Sequence, residues 1–208
     1  MTRQVPLTVY VEGNIGAGKS TLSKHLQLRG CRVEQESVDV HNSLFQRALQ
    51  GGSVFELQVA ASIDMQNRLS ALATADTHDA STHVMERGRV GSAAFIRAAA
   101  SMGTMSLLQQ DLCSALNAVT GAPPVAGQEM TLYIDASPEL CLERIRDRNR
   151  DGEEGITLEY LQTIDDCYRT EIDIARGSMP VAVVRLEDHW TIGHTTAMAL
   201  KAMEGAAH

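Results

Sequence analysis

The residues Gly13-Asn14-Ile15-Gly16-Ala17-Gly18-Lys19-Ser20-Thr21 carry the spacing G-x-x-x-x-G-K-S. Each part has a chemical use. The glycines let a loop curl so that backbone N–H groups face one point, and a following helix adds its positive N-terminal end. Lys19 is placed to reach the outer phosphates of a nucleotide, and the Ser20 hydroxyl is a natural Mg²⁺ ligand. The apolar run Leu7-Thr8-Val9-Tyr10-Val11 precedes the loop and Leu22-Ser23-Lys24-His25-Leu26 follows it. Strand, loop and helix together are the context this motif requires, so the stretch predicts binding of a nucleoside triphosphate.

Phosphoryl transfer also needs positive charge around the moving group and a residue to orient or deprotonate the nucleophile. Glu86-Arg87 ends the strand candidate Thr82-His83-Val84-Met85, where an acid commonly meets the metal shell. Arg144, Arg146, Arg148 and Arg150 precede the breaker Asp151-Gly152-Glu153-Glu154-Gly155. At helical spacing Arg144 shares a face with Arg148. The run reads equally as a lid closing on phosphates or as a solvated charged face beside Glu143 and Asp147. Glu36 is a candidate general base at a strand end, though Glu34 is as available on pattern alone. Gln58 has an amide suited to a flat heterocycle, or is a polar residue on a half-exposed helix. No histidine pair at i, i+4 and no G-x-S-x-G element is present.

The elements that must hold these residues alternate. Strands are expected at 7–11, 31–36, 82–85, 131–135 and 181–186. Helices are expected after Lys19, at 41–50, from Ser53 to about Leu72, at 92–101, at 104–120, from Ser137, at 158–176 and at 190–203. Ser53, with Glu56 three residues on, and Ser137, followed by Pro138, supply N-terminal caps. Alternation of this kind predicts a parallel sheet covered on both faces, with ligands beyond the carboxyl ends of its strands. The loop, Glu36, Glu86-Arg87 and the segment after Leu186 should therefore converge.

At 208 residues, 44% apolar and 21% charged, the chain suits one α/β domain spanning 1–208. A net charge of −8 argues against a general nucleic-acid binder. Cys31, Cys113, Cys141 and Cys167 form no C-x-x-C, which fits reduced thiols and a cytoplasmic location. The early first strand leaves no room for a targeting peptide, and the apolar region 92–119 is too polar for a membrane span.

Taken together, these residues resemble the deoxyribonucleoside kinase family over roughly 7–176. Val11-Glu12-Gly13-Asn14-Ile15-Gly16-Ala17-Gly18-Lys19-Ser20-Thr21-Leu22 looks like that family's phosphate loop, Glu36-Ser37-Val38 is similar to its Glu-Pro-Val, and Met85-Glu86-Arg87-Gly88 resembles its Glu-Arg-Ser motif. The best match runs ungapped from Cys141 to Leu161, the family's arginine-rich lid (about 144–155). The resemblance implies a P-loop kinase fold with a five-stranded parallel sheet flanked by helices, ATP and Mg²⁺, and transfer of phosphate to the 5′-hydroxyl of a deoxynucleoside. It makes Glu36 the general base, Arg87 the positioner of the 5′-oxygen and Glu86 a metal residue beside Ser20. It puts Arg148 and Arg150 on phosphates, Arg144 on the adenine, Glu153 on the sugar and Gln58 on the acceptor base.

The resemblance also places Met65 where thymidine-phosphorylating members carry methionine, Ser92 where deoxycytidine kinase has an aspartate, and Leu57 where a base-stacking phenylalanine is usual. The second aromatic wall falls at Ile96, with Phe95 adjacent. Gly88 and Ser37 replace the motif serine and proline, residues 41–57 are shortened, and no tyrosine matches the usual 3′-hydroxyl contact. A compact member of this kind is compatible with a viral, thymidine kinase-like origin. The expected acceptor is a pyrimidine, thymidine first, and the expected assembly a homodimer, with 92–120 either its face or simply core. The competing readings are a nucleoside monophosphate kinase such as thymidylate kinase, and a nucleotide-dependent switch without a small-molecule acceptor.

Overall fold

The structure, a computed structural model, describes residues 6–36, 38–74, 82–120, 128–186 and 191–206. The chain runs β1 (Leu7–Gly13), α1 (Lys19–Gln27), β2 (Arg32–Glu34), α2 (Val38–Leu49), α3 (Val54–Thr74), β3 (Thr82–Glu86) and α4 (Arg89–Ser101). It continues with α5 (Leu107–Thr120), β4 (Gln128–Asp135), α6 (Pro138–Arg148), α7 (Leu158–Ala175), β5 (Val181–Arg185) and α8 (Ile192–Ala206). The strands form a five-stranded parallel sheet in the order β2-β3-β1-β4-β5. Among the described residues no helix is long and apolar enough to cross a membrane.

β1 lies at the centre, buried almost throughout, as a strand covered on both faces must be. Its apolar side chains join a core with Leu22 and Leu26 of α1, Val84 of β3, Leu132 and Ile134 of β4, and Leu161 and Ile164 of α7. Each such side chain contributes about 1.5–3 kcal/mol by leaving water. A second cluster sets Tyr10 of β1 and Met85 of β3 against Met65, Leu69 and Leu72 of α3. Register then positions the site. Val11 stands opposite Glu86 on β3 and Leu132 on β4, so Glu86 comes level with the point where the phosphate loop leaves β1.

Several boundaries differ from expectation. α4 starts at Arg89 rather than 92, because the Glu12 carboxylate accepts hydrogen bonds from the Gly88 and Gly91 amides and caps the earlier turn. β2 ends at Glu34, leaving Glu36 beyond the strand, while β4 begins early at Gln128 and α2 at Val38. Caps read from sequence are in place. Ser137 Oγ accepts from the Leu140 amide at 3.2 Å, and Ser53 Oγ from the Glu56 amide at 3.4 Å. Ser37, residues 75–81, residues 121–127 and residues 187–190 after Leu186 lie outside the described residues.

Candidate active site

The phosphate loop is held from behind. Asn14 accepts from the Ile15 amide and donates to the Leu161 carbonyl, both at 2.8 Å, which ties the loop to α7. Gly16 and Gly18 take the positive φ values of 80° and 99°. At Gly16 a Cβ would meet the Cys141 carbonyl at 2.5 Å, so glycine is required for the loop to lie against α6. Lys19 donates to the carbonyls of Gly13 (2.9 Å) and Asn14 (2.8 Å). Burial, with the Arg87 charge adding to it, lowers its pKa.

Ser20 Oγ donates to Glu86 Oε1 at 2.6 Å. A hydroxyl and a buried carboxylate side by side make a hard oxygen donor set of the kind that fits Mg²⁺. The backbone behind Glu86 is fixed in turn: Arg68 donates to the Glu86 carbonyl at 2.5 Å and pairs with Asp64 at 2.7 Å.

Arg87 follows β3 in a left-handed conformation, φ 57°. Its Nη1 lies 3.1 Å from Glu36, and its guanidinium carbon sits 4.2 Å from the centre of the Phe95 ring. Burial opposes its charge, but Glu36, with Tyr168, Glu12 and Glu86 behind it, outweighs burial and raises its pKa. On the opposite wall Arg148 makes a two-point ion pair with Glu153, at 2.8 and 2.6 Å, and Arg150 stands 3.7 Å from the same carboxylate. Arg144 donates to the Ala17 carbonyl at 3.2 Å. The lid rests on α2, where Gln46 donates to the Asp151 carbonyl at 3.4 Å.

These groups face one cleft of about 580 Å³. It is lined by the loop from Ile15 to Thr21, by Glu36, Leu57, Gln58, Glu86, Arg87 and Phe95, and by Arg144, Arg148, Arg150 and Glu153. Gln58 is 6% exposed, and its amide makes no hydrogen bond to a described residue. Leu186, before the undescribed segment, also lines the cleft, as do Ile192 and Thr195 of α8.

The structure takes three expected base contacts out of this cleft. Met65 is packed at 1% exposure with Tyr10 and Met85. It lies seven residues beyond Gln58, about 10 Å further along α3, under the sheet instead of beside the ligand space. Ile96 points about 100° around α4 from Phe95 and packs with Met105 and Cys113. Ser92, one turn earlier, is buried and does not line the cleft either. Gly13 and Asn14 likewise stand behind the loop, where they shape it.

Glu12, Phe45, Ala61 and Tyr160 have no role that the sequence assigns, although Glu12 and Tyr160 fall inside the stretches that resemble the family's. The last three line the cleft, and burial pushes the Tyr160 phenol up to about 12. Glu12 is fully buried, and burial pushes its carboxyl up to about 7 against the Gly91 and Gly88 hydrogen bonds and the nearby cations. The signal for it was an acid inside an otherwise apolar central strand. Gly88 also gains a reason, since a Cβ there would meet the Tyr10 ring at 2.4 Å, so the family's serine does not fit beside this tyrosine.

A phosphate-binding loop at the carboxyl end of a central parallel strand, closed over by arginines, places the protein in the class of P-loop kinases. The deoxynucleoside kinase family model matches residues 9–199, and the chain belongs to that family. A Frog virus 3 protein described as a deoxynucleoside kinase is 27% identical over 169 residues, covering 81% of this chain and 84% of its own. The thymidine kinase of Ictalurid herpesvirus 1 is 29% identical over 81% of this chain and 75% of its own. The deoxyguanosine kinase of Dictyostelium discoideum is 28% identical over 77% of this chain and 57% of its own. In fold, the chain matches deoxyadenosine kinase from M. mycoides at a TM-score of 0.78 and 17% identity, covering 95% of this chain and 99% of that one.

Proposed function

We propose that the protein, as one kinase domain over 1–208, transfers the γ-phosphoryl group of ATP to the 5′-hydroxyl of a 2′-deoxynucleoside, giving ADP and the 5′-monophosphate. The carrying observation is the Glu36–Arg87 pair at 3.1 Å, in the same cleft as the loop and Lys19. Glu36 takes the proton of the 5′-hydroxyl as its oxygen bonds to the γ-phosphorus, and the bond to the ADP oxygen breaks on the far side. Arg87 holds the 5′-oxygen. Lys19 and the lid residues Arg144, Arg148 and Arg150 stabilise the charge on the transferring group. Ser20 and Glu86 would hold Mg²⁺, which would supply positive charge to offset that of the phosphates.

Gln58 on the cleft wall supports the acceptor site, because its side-chain amide offers a donor and an acceptor side by side to the edge of a base. Leu57, Phe95, Phe45 and Ala61 are the apolar walls for the base. Thymidine stays our leading acceptor on Gln58; the support that Met65 lent to a pyrimidine falls away with its place under the sheet. Glu153 on the sugar would have to exchange some of its contact with Arg148 and Arg150.

A carboxylate at the acceptor end disfavours an acceptor that already carries a phosphate, which argues against a monophosphate kinase. The homodimer we propose would use the helices flanking the sheet. α4 is largely core, whereas α5 leaves Leu107, Leu108 and Leu112 exposed. Radiolabelled-phosphate transfer to the four deoxynucleosides, ribonucleosides and thymidylate tests the reading. Phosphorylation of thymidylate alone would overturn it.

A further inference from the structure

We propose that Glu12 is a positioning residue for the acceptor side of the reaction, its carboxylate bolting the end of β1 to the start of α4 and thereby fixing Arg87. The inference rests on the reading of Arg87 given above. One oxygen, Glu12 Oε1, accepts from the Gly88 and Gly91 amides, each at 2.9 Å. The other, Oε2, accepts from the Tyr168 hydroxyl at 3.3 Å. Gly88 is the N-cap of α4 and has no side chain to cap with, so Glu12 does from another strand what a serine or aspartate would do locally.

The residue held this way is under strain. Arg87 has φ 57°, a conformation non-glycine residues take at a cost, and its own amide donates to the Val11 carbonyl at 3.0 Å. The amides of residues 87, 88 and 91 therefore all hang on Val11 and Glu12. Gly91 leaves the room: a Cβ there would meet Glu12 Oε2 at 2.3 Å, the Tyr168 hydroxyl at 2.6 Å and Arg87 Cγ at 2.8 Å. Glu12 is also the residue before Gly13, so one side chain registers the phosphate loop against the arginine of the acceptor site. An apolar residue would be far cheaper to bury at this point than a carboxylate, which indicates that the bolt is what the position is for.

The test is a kinetic cycle on E12A, E12Q, G91A and R87A, with the doubles E12A/R87A and G91A/R87A, reading kcat, KM for the deoxynucleoside and Kd for ATP. E12A is expected to lower kcat/KM for the acceptor about tenfold or more, with ATP affinity within about twofold, and to add less than about twofold once Arg87 is gone. E12Q, whose amide oxygen still accepts both N–H groups, should stay within about threefold of the parent. G91A suits a helix better than glycine, yet should lose activity as E12A does, because the new methyl displaces the carboxylate. Should E12A not fold, the G91A/R87A pair completes the cycle. Multiplying losses in the double variants, ATP affinity falling in step with turnover, or G91A at parental turnover would overturn the inference while leaving the Arg87 role standing. Parental turnover in R87A would remove that role, and the inference with it.

Discussion

The guanidinium of Arg87 is shared between the Glu36 carboxylate, 3.1 Å from Nη1, and the face of the Phe95 ring, 4.2 Å from its carbon. The arginine thus holds the proposed base with its fork and the apolar wall with its plane. Replacing Glu36 removes only the first task. Glu36→Gln should lower kcat by about 10²–10⁴-fold while leaving the ATP dissociation constant nearly unchanged. Steady-state kinetics beside calorimetric ATP titration decides it, and near-parental turnover would end the case for Glu36 as base.

The Ser20–Glu86 contact at 2.6 Å makes a separate prediction about metal. Ser20→Ala and Glu86→Gln should each raise the Mg²⁺ concentration for half-maximal activity by roughly 10–100-fold, the usual cost of disturbing a metal's oxygen shell. Activity profiles against free Mg²⁺ at saturating ATP provide the measurement. Unchanged profiles would place the metal elsewhere.

In the lid, Arg148 meets Glu153 through two nitrogens, so its fork and not its charge alone sets the geometry. Arg148→Lys keeps the charge and loses the fork. It should cost about tenfold or more in kcat, since an ammonium cannot engage two oxygens in one plane. Equal turnover for the lysine variant would show that charge suffices.

Tyr10 and Gly88 are fitted to one another, because a Cβ at residue 88 would lie 2.4 Å from the ring. Gly88→Ser should therefore destabilise the fold by about 1–3 kcal/mol, the ordinary cost of overpacking. Tyr10→Leu loses the 2.6 Å hydrogen bond to Glu129, yet makes room. Urea unfolding of the double variant should show a loss smaller than the sum of the singles. Strict additivity would contradict the steric account.

Glu12 supplies a pH signature. Burial pushes its carboxyl up to about 7, whereas in the unfolded chain it titrates near 4.5, so the folded protein keeps the proton to higher pH. Its contribution to stability is full below about pH 4.5 and is lost as pH rises through about 7. Glu12→Gln carries no such titration. The melting temperature of the parent minus that of the variant should fall between pH 5 and pH 8. A flat difference would mean that Glu12 stays ionised throughout.

Whereas the arginines from 144 to 150 suit a solvated face as well as a lid and were set apart only by resemblance, the phosphate loop was legible in the sequence because it is contiguous and its use depends on spacing within one turn and helix. The alternating elements were legible for the same reason, through runs such as Val9 to Val11 and Val181 to Val184. Which side chains line the far end of the cleft was not, because that depends on how far a helix travels and which way it turns. Gln58 and Met65 share a face of α3 in projection but are two turns apart in space, so one faces the cleft and the other the sheet. Phe95 and Ile96 are neighbours in sequence, and only the rotation of α4 tells which lines the cleft. Glu12 was in plain view, but its partners are 76 and more residues away and no local pattern names them.

The cleft draws its two halves from different parts of the chain. On the reading proposed above, phosphates and reacting oxygen would meet the loop, Glu36, Glu86-Arg87 and the arginines between 144 and 150, whereas the flat end of the acceptor would meet Phe45 of α2, Leu57, Gln58 and Ala61 of α3, and Phe95 of α4. Taste and chemistry are thereby modular. On that reading, a combinatorial library confined to positions 45, 57 and 61 should change which base is accepted while every group that moves a proton or a phosphate stays where it is.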